Sequence, residues 1–191
     1  DSKSLIGVLI KEMNLNKDTY SVNSVRQRIS SAKSNLITPK LYQQNEELMN
    51  QDRMARMPAM HKLYAAYTAR CKKAGAMDFD DLLYRLYELL QANPDVLKRY
   101  RERFRYVLVD EFQDTNAAQY KLVRLLSQSH NNICVVGDDD QSIYRWRGAN
   151  IENILKFEND FPGTTVIKLE ENYRSTQNIL NAAGSVVREN R

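Results

Sequence analysis

Tyr106-Val107-Leu108-Val109-Asp110-Glu111-Phe112-Gln113-Asp114-Thr115 decides the fold of this chain, because an apolar run there ends abruptly in acid. Residues of high strand propensity bounded by charge predict a buried β-strand. That strand delivers two adjacent carboxylates, Asp110 and Glu111, to its C-terminal end, the place where open α/β sheets hold ligands. A second run, Ile133-Cys134-Val135-Val136-Gly137, repeats the pattern and ends in Asp138-Asp139-Asp140-Gln141. Between them Ala117–Ser129 reads as a helix, entered through Asn116 with Gln119 three residues on, a capping-box pattern. Short strands alternating with helices imply parallel pairing and a right-handed crossover, so both acidic ends should line one cleft.

Downstream, Ile151, Ile154, Leu155 and Phe161 mark a helix ended by Pro162-Gly163, Thr165–Leu169 reads as a third strand, and a last helix starts near Thr176. Upstream, residues 1 to about 105 read as helices. Leu5, Val8, Leu9 and Met13 share one face, and Val25, Ile29 and Ala32 another. Ser34 to Asp52, with Thr38-Pro39, reads as linker plus a short helix. Met60, Leu63, Tyr64, Tyr67 and Cys71 line a helix running from near Pro58 to Ala74 and stopped by Gly75. Asp78 is an expected N-cap for a helix with Phe79, Leu82, Leu83, Leu86 and Leu90 on one stripe. Asn93-Pro94-Asp95 opens a further helix whose buried side is Val96, Leu97, Tyr100 and Phe104.

The 191 residues suit one large domain or two small ones, and 42% hydrophobic content is enough for a core. Lys and Arg number 28 against 24 Asp and Glu, a net charge of +4 that is compatible with nucleic acid without requiring it. Cys71 and Cys134 lack disulfide-framework or zinc spacing, and Cys134 reads as a packed core thiol. No apolar stretch approaches the ~20 residues needed to cross a bilayer, and Asp1-Ser2-Lys3-Ser4 does not open a signal peptide. The expectation is a cytoplasmic protein, or a piece of a longer one.

A solvated acidic turn would explain one Asp after a strand. It explains less well Asp110, Glu111, Gln113 and Asp114 together. In nucleotide hydrolases one such carboxylate helps hold Mg²⁺ and the other orients or deprotonates the attacking water. Gln141 could hydrogen-bond a phosphate oxygen or that water without adding charge. The stretch Ser142-Ile143-Tyr144-Arg145-Trp146-Arg147-Gly148-Ala149 sets the chain's one tryptophan between two arginines. A lone Trp is commonly a core residue, but flanking cations favour a single-strand contact, where stacking contributes about 1–3 kcal/mol per base. In Glu170-Glu171-Asn172-Tyr173-Arg174-Ser175-Thr176, Arg174 could reach a γ-phosphate or pair with Glu170 or Glu171, and Tyr173 could stack on an adenine. The basic run Lys98–Arg105 reads as a solvated helix face, and His61 and His130 have no partners at metal or triad spacing.

These residues carry a family resemblance. Asp110–Thr115, Gly137–Ala149 and Asn172–Ser175 resemble motifs II, III and IV of UvrD/PcrA/Rep-type superfamily 1 helicases, in the same order and spacing. Met77-Asp78-Phe79-Asp80-Asp81-Leu82-Leu83 resembles the stretch that precedes motif II there. The resemblance spans essentially the whole chain. It implies an α/β fold in which a helical subdomain (1–76) leads into a partial RecA-like parallel sheet with flanking helices (77–191). It implies an ATP-driven motor moving 3′ to 5′ on single-stranded DNA and unwinding duplex junctions. By position, it makes Asp110 the Mg²⁺ ligand, with Glu111 beside it as general base. Gln141 and Arg174 become γ-phosphate contacts, Tyr173 the adenine platform, and Tyr144, Trp146 and Arg147 DNA contacts. Two other readings stay open: the motor part of an AddA- or RecB-like helicase–nuclease, and a non-enzymatic DNA-binding module.

One departure matters. Such motors hold phosphates with a GxxxxGK[ST] loop, yet the glycines here are Gly7, Gly75, Gly137, Gly148, Gly163 and Gly184, none followed by lysine. The family's second RecA-like domain has no counterpart either. The expectation is therefore a fragment of a helicase that needs its missing motor segments, with negligible ATP hydrolysis and no unwinding on its own.

Overall fold

A computed structural model describes residues 1–145 and 148–189. The first half is helical: α1 (Ser2–Glu12), α2 (Val22–Ser34), α3 (Pro39–Gln44), α4 (Glu46–Met54) and α5 (Met60–Lys73). Side chains of Asp1, Ser21, Thr38 and Asn45 accept backbone N–H groups at the starts of α1 to α4, satisfying donors that have no partner inside the helix. Gly75, at φ +58°, ends α5, and the Ala76 N–H bonds back to the Cys71 carbonyl, a closure that favours a residue without Cβ. Ile6, Leu9, Ile10, Val25, Ile29, Met60, Leu63, Tyr64 and Tyr67 form one core between α1, α2 and α5.

Two readings change here. On α1 the inward face is Ile6, Leu9 and Ile10, and Val8 is exposed. The segment Ser34 to Asp52 holds two short helices rather than one. Its end is pinned by Asp52, which is fully buried between Arg28 and the Tyr42 hydroxyl.

The chain continues through α6 (Phe79–Ala92) and α7 (Pro94–Arg103) into β1 (Val107–Val109), α8 (Ala117–Ser127) and β2 (Ile133–Val135). The strands pair in parallel, Val107 with Ile133, Leu108 with Cys134 and Val109 with Val135. Then come α9 (Glu152–Leu155), α10 (Phe157–Asp160) and α11 (Gln177–Glu189). A helical subdomain is thus followed by a small parallel sheet with flanking helices, a partial RecA-like arrangement. No described helix is long and apolar enough to cross a membrane.

The sheet is covered on one face. Val109, Ile133 and Val135 pack with Phe112, Phe157 and Phe161, whereas Leu108 is 77% exposed and Cys134 is exposed. The expected buried strands are therefore half-buried, and Cys134 is not a core thiol. Alternation sends neighbouring side chains to opposite faces, and among the described residues helices pack on only one of them. Thr165–Leu169 is not a strand. It runs alongside β2 across a cleft of ≈ 570 Å³ lined by Ile133, Cys134 and Val135 and by Thr165, Val166 and Ile167, without ladder pairing. β-Branched composition supplies strand propensity but not a partner. The helix expected across Ile151–Phe161 is split into α9 and α10, with Phe157 and Phe161 stacked at 4.7 Å. On α6 only Leu90 of the expected stripe is fully buried. Phe79, Leu82 and Leu86 face solvent, as do Tyr100 of α7 and Phe104 just past its end.

A buried ion pair ties the halves together. The Lys33 ammonium, 2% exposed, donates to Asp78 at 2.7 Å and lies 2.9 Å from Asp81, while the Tyr67 hydroxyl donates to Asp78 at 2.8 Å. Asp78 and Asp81 also form the capping box of α6. Burial pushes the Asp78 carboxyl upward, but the Lys33 hydrogen bond and charge, with the Asp81 N–H and the Tyr67 hydroxyl, outweigh it and hold the group below its ordinary range. Lys33→Ala would leave two partly desolvated carboxylates facing each other. It should cost about 3–5 kcal/mol, read as a lower urea midpoint. Because the native Asp78 value is depressed, its stabilisation is complete above its unfolded value of about 4 and fades as pH falls through the native value. Asp78→Asn should remove that component of the acid limb in pH-dependent unfolding.

Candidate functional site

Both strand ends project their acidic loops to the same side of the sheet. The Phe112 N–H donates to the Val136 carbonyl at 2.9 Å and the Val136 N–H to the Val109 carbonyl at 2.8 Å, so pairing carries on past the strands proper. Phe112 is fully buried against Phe157 in an edge-to-face contact at 5.5 Å. Between that anchor and the end of β1, Glu111 takes a left-handed conformation (φ 49°, ψ 44°). Such a conformation costs a non-glycine residue about 1–3 kcal/mol and clusters at functional sites.

The turn after Glu111 buries Gln113, 1% exposed. Its Nε2 donates to Glu111 Oε2 at 2.7 Å, and its Oε1 accepts the Asp138 N–H at 3.1 Å. Asp138 Oδ2 in turn accepts from Gln141 Nε2 at 2.7 Å. A hydrogen-bonded chain thus runs Glu111–Gln113–Asp138–Gln141 from one strand end to the next. The approach is close enough that a Cβ on Gly137 would lie 2.7 Å from Gln113 Oε1 and 2.8 Å from Ile154 Cδ1. Thr115 and Asn153 brace the turn: the Asn153 amide donates to the Thr115 carbonyl and hydroxyl at 3.0 and 3.1 Å.

Asp110 and Glu111 are exposed, and with Asp114, Thr115 and Gln119 they line a cleft of ≈ 450 Å³. Asp114 Oδ1 is buried there with no hydrogen-bond partner among the described residues. Among the described residues no three His, Cys, Asp or Glu side chains cage a metal by themselves. A pair of adjacent hard carboxylates does fit Mg²⁺, which keeps most of its waters and is typically held by one or two carboxylates plus substrate phosphates.

The other candidate residues separate into two places. Tyr173 is 87% exposed, its hydroxyl on Glu171, and Asn172 Oδ1 caps the N–H groups of Arg174 and Ser175. Arg174 is exposed and, among the described residues, forms no ion pair with Glu170 or Glu171. These contacts are local, and none of them brings Tyr173 or Arg174 to Glu111 and Gln141. Tyr144 is half-buried, and Trp146 and Arg147 lie outside the described residues. Gly148, at φ +89°, seats the end of that loop against the Ser34 side chain, 3.6 Å from where its Cβ would stand.

The loop and α2 bound a cleft of ≈ 730 Å³ lined by Asn23, Arg26, Gln27, Ser30, Ser31 and Ser34, with Asp80, Arg145 and Gly148. Sequence reasoning missed Arg26, Gln27 and Arg145 as a group. The polar side of α2 was visible as the complement of Val25, Ile29 and Ala32, but not what it faces. It also named Gln113 within the acidic motif without giving it a role of its own.

Helices leading into a parallel β-α-β unit with two acid-ended strands define a partial RecA-like α/β protein. The chain belongs to the UvrD/REP helicase family: residues 1–162 match the family's N-terminal domain. It is 45% identical over 188 residues to the ATP-dependent DNA helicase PcrA of Leuconostoc citreum, covering 98% of this chain and 24% of that protein. DNA helicase II of Salmonella typhimurium and the ATP-dependent DNA helicase PcrA of Bacillus subtilis are each 45% identical over 190 residues, covering 100% of this chain and 25% of theirs. The chain spans about a quarter of the length of these relatives.

Gly137→Ala tests the close approach at the heart of the site. Its methyl must displace the Gln113 amide or Ile154, and it should lower stability by about 1–3 kcal/mol, seen as a reduced thermal midpoint.

Proposed function

We propose that this chain is the part of an ATP-driven 3′–5′ DNA helicase that carries the hydrolytic acids and the first single-strand contacts. Residues 1–76 would form the inserted helical subdomain and residues 77–191 part of the ATPase subdomain. The observation that carries the reading is the chain Glu111–Gln113–Asp138–Gln141, which joins the proposed general base to the proposed phosphate ligand across neighbouring strand ends. Family membership and identity to ATP-dependent helicases support it independently.

In this reading Asp110 holds Mg²⁺ beside the cleft, and Glu111 takes the proton of the attacking water. Gln141 donates its amide to a γ-phosphate oxygen. Bound Mg²⁺ would offset charge developing on the phosphate oxygens. Arg174 would add a cation to the γ-phosphate and Tyr173 a platform for the adenine, both from the exposed segment 170–176. Single-stranded DNA would run along the α2 cleft with its phosphates on Arg26 and Arg145, and the family resemblance adds Tyr144, Trp146 and Arg147 as DNA contacts. The chain supplies no GxxxxGK[ST] cradle for the triphosphate, so phosphate release from Mg²⁺-ATP by the 191 residues alone should stay at background.

Binding and turnover can be checked separately. Oligothymidylate anisotropy should give salt-dependent binding, and the log–log slope should become shallower by about 0.7 when Arg26→Ala or Arg145→Ala removes one cation from the phosphate backbone. Trp146→Ala should cost about 1–3 kcal/mol. Salt-independent binding would remove the DNA reading, and robust phosphate release would remove the inactivity.

A further inference from the structure

We propose that Gln113 is a positioning residue that makes the orientation of Glu111 depend on the place of the Asp138–Gln141 loop. The inference rests on the hydrolase reading above and adds to it how the two strand ends communicate. Its basis is geometric. Gln113 is 1% exposed, so its amide has no water to fall back on. The amide's orientation follows from its neighbours: a backbone N–H can only donate and an ionised carboxylate can only accept. The oxygen therefore faces Asp138 N at 3.1 Å and the nitrogen faces Glu111 Oε2 at 2.7 Å.

Asp138 is no passive anchor. Its carboxylate accepts the Asp140 N–H at 3.1 Å and the Gln141 side chain at 2.7 Å, so it moves as one piece with the turn that leads to Ser142 and Tyr144. Ser142 Oγ reaches back to the Gln113 carbonyl at 3.5 Å. Withdrawal of that turn from β1 would strand the Gln113 oxygen in a dry site. The amide would then rotate to recover a partner and release the Glu111 carboxylate. No intervening helix movement is required, because the link is a single side chain between adjacent strand ends. Gly137 permits it, since any Cβ there would occupy the amide's position.

Two substitutions split the bridge. Gln113→Glu keeps an acceptor for Asp138 N but sets a carboxylate against Glu111; Gln113→Leu removes both functions at similar volume. In the 191-residue chain, amide exchange at Asp138 should quicken about tenfold in Gln113→Leu and stay at the parent rate in Gln113→Glu. In a hydrolysis-competent polypeptide of the relatives' length carrying this chain, both variants should lose about 10–100-fold in kcat with KM for ATP unchanged. Parent-like Asp138 exchange in Gln113→Leu, or parent-like kcat in Gln113→Glu, would overturn the proposal. A general loss of packing would speed exchange and depress kcat together in both variants, which the expected split does not allow. If the unsubstituted polypeptide turned over no ATP, the hydrolase reading would fall, and Asp138 exchange alone would decide whether the bridge exists.

Discussion

The absence of a side chain at Gly137 lets a buried amide stand between two parallel strand ends, and the site is organised around that contact. A lone buried amide is a liability, because each unmet donor or acceptor costs about 1–3 kcal/mol. Gln113 escapes it because the Asp138 N–H and the Glu111 carboxylate meet it from opposite strands. Phe112 fixes the depth of the turn by inserting into the Phe157–Phe161 cluster, and Asn153 fixes its far end through Thr115. Apolar packing sets where the turn sits, and the hydrogen bonds set which way its polar groups point.

Features that depend on a few consecutive residues were legible in the sequence. Asp78 caps α6 and the Asn116–Gln119 capping box forms as the spacing predicts, Gly75 ends α5, and the two acid-ended strands pair in parallel. What failed to be legible depends on coverage from elsewhere. Leu108, Cys134, Phe79 and Leu82 are apolar at positions of the right period, but period says which residues share a face and not whether anything packs on it. Thr165–Leu169 has strand composition and stays unpaired for the same reason. Gln113 lay in plain view, yet its role depends on burial and on a partner 25 residues away.

The two halves of the chain meet at the C-terminal end of α2. Lys33 turns inward to Asp78 and Asp81 at the start of α6, while its neighbour Ser34 lies against Gly148, just past the Trp146 loop. One turn of helix therefore touches both the entry to the second half and Gly148, which follows the residues proposed to contact single-stranded DNA. Farther along the same helix, Arg26, Gln27, Ser30 and Ser31 line the cleft.

Glu111 gives the energetic side of the same arrangement. A left-handed glutamate is strained by about 1–3 kcal/mol, and a hydrogen bond from a neutral donor to a carboxylate contributes about 1.5–3 kcal/mol net. The two ranges overlap, so the Gln113 contact can offset the backbone strain that the packing of Phe112 imposes on Glu111. In the proposed bridge, withdrawing the Gln113 hydrogen bond removes that offset and leaves the Glu111 side chain free to turn. The strain at Glu111 is thus what makes a single amide sufficient to govern it.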